Sequence, residues 1–146
     1  MKEAQKDSLD YALDHSWKWF ELHARQRLQA VNFFLIATAF LVKAYVDTIP
    51  HPFMGAAIAL IGIIISACFY LFEIRIRQLV KAGENALIPV QQLLAELTDN
   101  PKIRICEIVE RSVLPCATYH KLIGILYFAV AILFAYGFGY SISQLM

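Results

Sequence analysis

The chain has 146 residues, of which 59% are hydrophobic and 17% charged; a soluble domain averages about 45–50% and about 25%. A single domain of this length cannot bury so much apolar surface in water, and the segregation of its charge into blocks, more than its average hydropathy, excludes a disordered chain. Thirteen Lys and Arg against twelve Asp and Glu leave a formal net charge of +1, so a polyanion is not the natural partner and no direct nucleic-acid binding is expected.

Residues 1–27 read as a cytoplasmic or interfacial amphipathic helix. Leu9, Leu13, Trp17, Phe20, Ala24 and Leu28 recur at steps of three or four on one stripe. Lys6, Asp10, Asp14, Lys18, Glu21 and Arg25 form a charged stripe opposite, with acid-before-base i,i+4 pairs at Asp14–Lys18 and Glu21–Arg25. No Gly or Pro separates this helix from the next segment, so it either runs straight into a bilayer or lies on its surface with Trp17, Trp19 and Phe20 at headgroup level.

Residues 28–49 form a first transmembrane helix, in which Lys43 lies near enough to one end to reach the interface. Gln29, Asn32, Ala39 and Lys43 share one face of it and make a candidate pore-lining strip. After the turn Asp-Thr-Ile-Pro-His-Pro, residues 53–73 form a second span: Phe53 to Phe72 is a run of 20 residues without a charge, enough at about 1.5 Å per residue for a hydrocarbon core of about 30 Å.

Gly55, Ala59, Gly62 and Ser66 make a small-residue row on that span, of the kind that permits close helix approach in lipid. The helix continues past the membrane into the region 74–121. Phe69, Phe72, Ile76, Leu79, Gly83, Ala86, Val90, Leu93 and Leu97 recur at alternating steps of three and four, a heptad seam. The row and the seam, with Ile76, Leu79, Gly83 and Ala86 at its start, are the expected contacts of a homo-oligomer. Pro89 predicts a kink or a new helix start.

Thr98-Asp99-Asn100-Pro101 reads as a stop and restart, with Asn100 as N-cap and Pro101 at the first helical position; a short helix follows and ends before Pro115. Residues 122–143 are the third span, whose core from Leu122 to Ile142 is polar only in its Tyr hydroxyls and Ser141. The expected fold is an all-α membrane protein with three transmembrane helices, an N-terminal amphipathic helix and a cytoplasmic helical hairpin between spans two and three.

Lys and Arg set the orientation: five lie in residues 1–27, seven between Arg75 and Lys121, and none in Asp47–Pro52 or after Ile142. This places the N-terminus in the cytoplasm and the C-terminus outside an inner (plasma) membrane. Cys68 then sits within a span and Cys106 and Cys116 face a reducing compartment, so no disulfide is expected.

No Walker loop, GxSxG, HExxH, CxxC pair or GxGxxG occurs, so no enzyme activity and no cofactor is expected. Cys106, Cys116 and His120 match no common zinc spacing. Tyr11, His15, Trp19, His23 and Arg27 share a stripe that serves either as a packing face or as a pH sensor. Asn32 and Lys43, with Glu73, Arg75 and Arg77 where the second span leaves the membrane, are the candidate pore or gate residues; in a ring, the last three would form charged girdles at a mouth, and alone they are positive-inside flanks.

WKWFELHARQRLQAVNFF at Trp17–Phe34 and LFEIRIRQLVKAGENALIPV at Leu71–Val90 resemble small prokaryotic membrane proteins found with antiphage defence modules. These include the SLATT group, retron-associated transmembrane effectors and the accessory membrane proteins of type VI CRISPR systems. The resemblance implies an effector that assembles in the membrane and permeabilises or depolarises it on infection, with the lipid bilayer, further copies of itself and a soluble defence protein as partners. SLATT proteins usually have two spans, and the run at Leu122–Ile142 departs from that. The Arg and His spacing of HEPN ribonucleases is missing, so no catalytic residues carry over. The competing expectation is a non-conducting adaptor that docks a soluble partner through the helices between Arg75 and Lys121.

Overall fold

The computed structural model describes residues 3–112 and 119–146, and the side chains of 7–109 and 121–146. Most of the described residues are helical and none is in a strand: α1 (Glu3–Asp47), α2 (Pro52–Thr98), a 3-10 turn (Pro101–Ile103), α3 (Ile105–Ser112) and α4 (Tyr119–Ser143). Three of the helices, α1, α2 and α4, contain stretches long and apolar enough to cross a membrane.

Helix α1 is unbroken because no Gly or Pro occurs between Glu3 and Ile49. It stops at Asp47, two residues short of the expected end of the first span. There Thr48 satisfies the last carbonyls, its hydroxyl donating to the backbone oxygens of Ala44 and Tyr45. The Pro50 and Pro52 rings bar continuation, and Pro52 opens α2 at the first helical position, where its missing N–H is no loss.

Pro89 neither breaks α2 nor starts a new helix: α2 runs through it to Thr98. Pro89 and Asn85, whose carbonyl loses its helical donor, are both exposed, so the freed oxygen is not stranded in a dry core. The restart after α2 is a single 3-10 turn. Asp99 takes a left-handed φ of 50°, the Asn100 N–H returns to the Ala95 carbonyl, and the Asn100 side chain caps Lys102 N at 3.2 Å. Helix α3 begins at Ile105, four residues after the expected start.

The chain divides into two compact units, Met1–Arg27 with Arg75–Thr118 and Leu28–Ile74 with Tyr119–Met146. The second has an aromatic centre in which Phe34 (0% exposed), Ile123 and Tyr127 (1%) pack with Val31, Ile65, Phe69, Leu126 and Val130. Phe34 meets Tyr127 edge to face at 4.5 Å between ring centroids and Phe69 at 5.4 Å, geometries favoured by the ring quadrupoles. The first unit is centred on Ile76, Leu87 and Ala95 of α2 and Ser16 of α1.

Candidate functional site

In the apolar unit, the small-residue row of α2 is occupied by the protein's own helices. Gly55, Ala59, Gly62 and Ser66 are all buried. A methyl group at Gly55 would lie 2.9 Å from Ser141 Oγ, and one at Gly62 would collide with the Phe134 ring, both on α4. Ser66 donates to the Gly62 carbonyl at 2.8 Å, so its hydroxyl needs no partner helix. The close approach read from the sequence is therefore made within one chain, and this face is not open to a second copy.

At the far end of the same unit, the hydroxyl of Tyr45 on α1 donates to the Gly137 carbonyl at 2.8 Å and lies 3.3 Å from Ser141 Oγ. A groove of about 380 Å³ opens beside it, lined by Val42, Val46, Ile49, Leu133, Tyr136 and Tyr140 among others. Its walls are aliphatic and aromatic, suited to hydrocarbon and not to an ionic ligand.

The candidate pore or gate residues are each placed as follows. Lys43 is exposed and ion-paired with Asp47 one turn on. Asn32, Gln29 and Ala39 are exposed on α1. Glu73 is buried at 6% exposure and engaged in interactions of its own. Arg75 and Arg77 are exposed, with Arg75 Nη1 donating to Gln78 Oε1 at 3.5 Å.

In the charged unit the heptad seam holds for Ile76, Leu79 and Gly83 and then turns away. A methyl at Gly83 would lie 3.1 Å from Phe20 Cα and Trp19 Cδ1, so α1 packs directly against it. Ala86, Leu93 and Leu97 are exposed, and the buried line continues through Leu87, Gln91 and Ala95 instead. A straight helix drifts about 20° per heptad from a 3.5-residue repeat, and α3 draws the Gln91 face inward. Gln91 Oε1 accepts from Cys106 N at 3.1 Å, and Gln92 Nε2 donates to Glu107 Oε1 at 3.1 Å.

Of the stripe assigned to α1, Leu9, Leu13, Phe20 and Ala24 are half-buried and Trp17 is exposed, while Trp19 donates its indole N–H to the Leu79 carbonyl at 3.2 Å. Trp19 also stacks edge-on to His23, at 4.6 Å, and His23 Nδ1 lies 3.0 Å from Gln26 Oε1. The alternation of apolar residues carried no sign that a tryptophan would cross over to cap a carbonyl. The pairs Asp14–Lys18 and Glu21–Arg25 both form at 2.7 Å on the exposed face. The hydrogen bond that Lys18 donates to Asp14 and the charge of that carboxylate raise the Lys18 pKa above its ordinary value.

Among the described residues no three His, Cys, Asp or Glu side chains gather as a metal site; Cys116 and the side chain of His120 lie outside them. Cys68 and Cys106 carry free thiols.

No family model matches the chain, and no solved structure matches it. The chain is similar to CD-NTase-associated protein 19 of Escherichia coli, at 33% identity over 107 residues that cover 68% of this chain. It spans 66% of the length of that curated relative, and three helices of membrane-crossing length thus stand beside a likeness to a protein named for its association with a CD-NTase.

Proposed function

We propose that this protein is an inner-membrane effector of CBASS-type antiphage defence, which self-associates and permeabilises or depolarises the bilayer when its system is triggered. The observation that carries the reading is the coincidence of three membrane-length helices in a chain of 146 residues with similarity to a CD-NTase-associated protein. The proposed action is physical, on the lipid itself, without enzyme chemistry or a cofactor. The relationship supports a link to defence in general; it does not bear on SLATT or retron membership. The proposed topology keeps the charged unit and the N-terminus in the cytoplasm and the C-terminus outside, following the distribution of Lys and Arg.

The test is direct. Controlled expression, alone and with its CD-NTase operon under phage challenge, is read with a potential-sensitive dye, and purified protein is placed in vesicles loaded with potassium or a small fluorophore. Depolarisation in cells together with release from vesicles is the expected result. A potential that holds in challenged cells, with vesicles that stay tight, overturns it.

A second reading is favoured by α3. Its polar residues Glu107 and Cys106 face α2, while Ile105, Ile108 and Val109 are exposed. Such an outward apolar stripe suits an adaptor that docks a soluble defence protein, and co-purification of a CD-NTase with a non-conducting membrane protein would favour it.

A further inference from the structure

We infer that copies of this chain pack against one another along α1, on the side opposite Phe34, with Asn32 pairing to Asn32 of the next copy. The inference deepens the self-assembly part of the function proposed above and rests on it.

The face is defined by Gln29, Asn32, Ile36, Ala39, Lys43 and Val46, which follow one another at steps of three and four and are all exposed. That spacing keeps one line of a helix against a neighbour crossing at about 20°. Phe34 lies two residues from Asn32, about 200° around the helix at 3.6 residues per turn, and is buried against Tyr127 and Phe69. The protomer's own packing therefore claims one side of α1 and leaves the polar one outside.

Asn32 makes no side-chain hydrogen bond among the described residues. It stands one turn inside the uncharged stretch that starts at Leu28, about 6 Å along the axis, and its side chain is too short to regain the interface as a lysine does. Hydrocarbon offers an amide neither donor nor acceptor, so an exposed Asn in a span favours any arrangement that supplies both.

A second copy does so. Chains inserted in the same orientation place Asn32 at the same depth, and a carboxamide is both donor and acceptor and hence complementary to itself. The rest of the face is compatible: Ala39 is small enough for close approach, and Lys43 is neutralised by Asp47 on its own helix, so that like charges do not meet. The small-residue row of α2 is already filled by Phe134 and Ser141.

The experiment uses full-length protein labelled with donor or acceptor dyes and reconstituted in phosphatidylethanolamine–phosphatidylglycerol vesicles, with energy transfer read against protein-to-lipid ratio and potassium leakage read in the same vesicles. Because Asn32 is exposed in the protomer, Asn32→Leu leaves the fold intact, and helical content checks this. Asn32→Leu is expected to weaken association about fivefold to thirtyfold, equivalent to ~1–2 kcal/mol for one interhelical amide contact. Asn32→Gln retains most of it, and Phe33→Leu, on an exposed but different face, leaves it unchanged. Equal transfer in wild type and Asn32→Leu overturns the α1 seam while leaving self-assembly standing. No transfer in wild type overturns both. Transfer that depends on Asn32 in vesicles that hold their potassium upholds the seam and, where the potential of challenged cells also holds, overturns permeabilisation.

Discussion

Tyr45 and Gly137 are joined across the apolar unit by a hydrogen bond of 2.8 Å from the tyrosine hydroxyl to the glycine carbonyl, and the absence of a side chain at Gly137 lets the ring approach. A methyl there would stand 2.9 Å from Tyr45 Cζ, inside contact distance. Tyr45→Phe is expected to cost about 0.5–1.5 kcal/mol through the lost bond, and Gly137→Ala about 1–3 kcal/mol through overpacking. In Tyr45→Ala the added methyl of Gly137→Ala meets a void, so the double variant should be more stable than the sum of the two single effects. Unfolding in mixed detergent and dodecyl sulfate micelles measures all four corners of that cycle.

Two glycines of the same bundle should respond oppositely to one substitution. Gly62→Ala drives a methyl into the Phe134 ring, whereas Gly124→Ala meets nothing within 4 Å. The first should lose about 1–3 kcal/mol, and the second should be neutral or gain up to about 1 kcal/mol from helix propensity. Equal effects in the same unfolding assay would contradict the α2–α4 contact.

The turn between α2 and α3 carries a non-glycine residue in the left-handed region, Asp99 at φ 50°. Asp99→Gly removes the steric cost of that conformation and is expected to stabilise the charged unit by about 0.5–1 kcal/mol. Asp99→Val, branched at Cβ, should destabilise it by more than that gain. Amide exchange at Cys106, whose N–H is held by Gln91, reports the local opening.

Burial pushes the Cys106 thiol above its ordinary 9.0, with the hydrogen bond to Gln91 opposing the shift. The folded state keeps a proton that the unfolded chain releases, so this contribution to stability is whole below pH 9.0 and is lost as pH rises through the folded value above it. Alkylation of Cys106 by iodoacetamide, followed peptide by peptide in a mass spectrometer, should show a midpoint above 9.0. Gln91→Leu removes the opposing bond and should move the midpoint further up. Stability between pH 6 and pH 8 should not vary on account of this thiol.

The long uncharged runs at Phe53–Phe72 and Leu122–Ile142 by themselves determined which parts of the chain are fit to cross a membrane, because that fitness depends on length and composition alone and needs no partner to be known. The same holds for the acid-base pairs Asp14–Lys18 and Glu21–Arg25, which form at 2.7 Å as a helix of that spacing dictates. What a row of small residues touches is another matter. Gly55 and Gly62 announce that some helix comes close, yet nothing in their spacing distinguishes α4 of the same chain from α2 of another, and only the packed structure sets Ser141 and Phe134 against them. Rotation of the buried face to Leu87, Gln91 and Ala95 was likewise hidden, since it arises where hydrogen bonds from α3 outweigh the apolar repeat. The sequence already set Gln29, Asn32, Ala39 and Lys43 on one face of α1; the tertiary structure decided that this face is the one left outside, because the aromatic centre at Phe34 claims the opposite side.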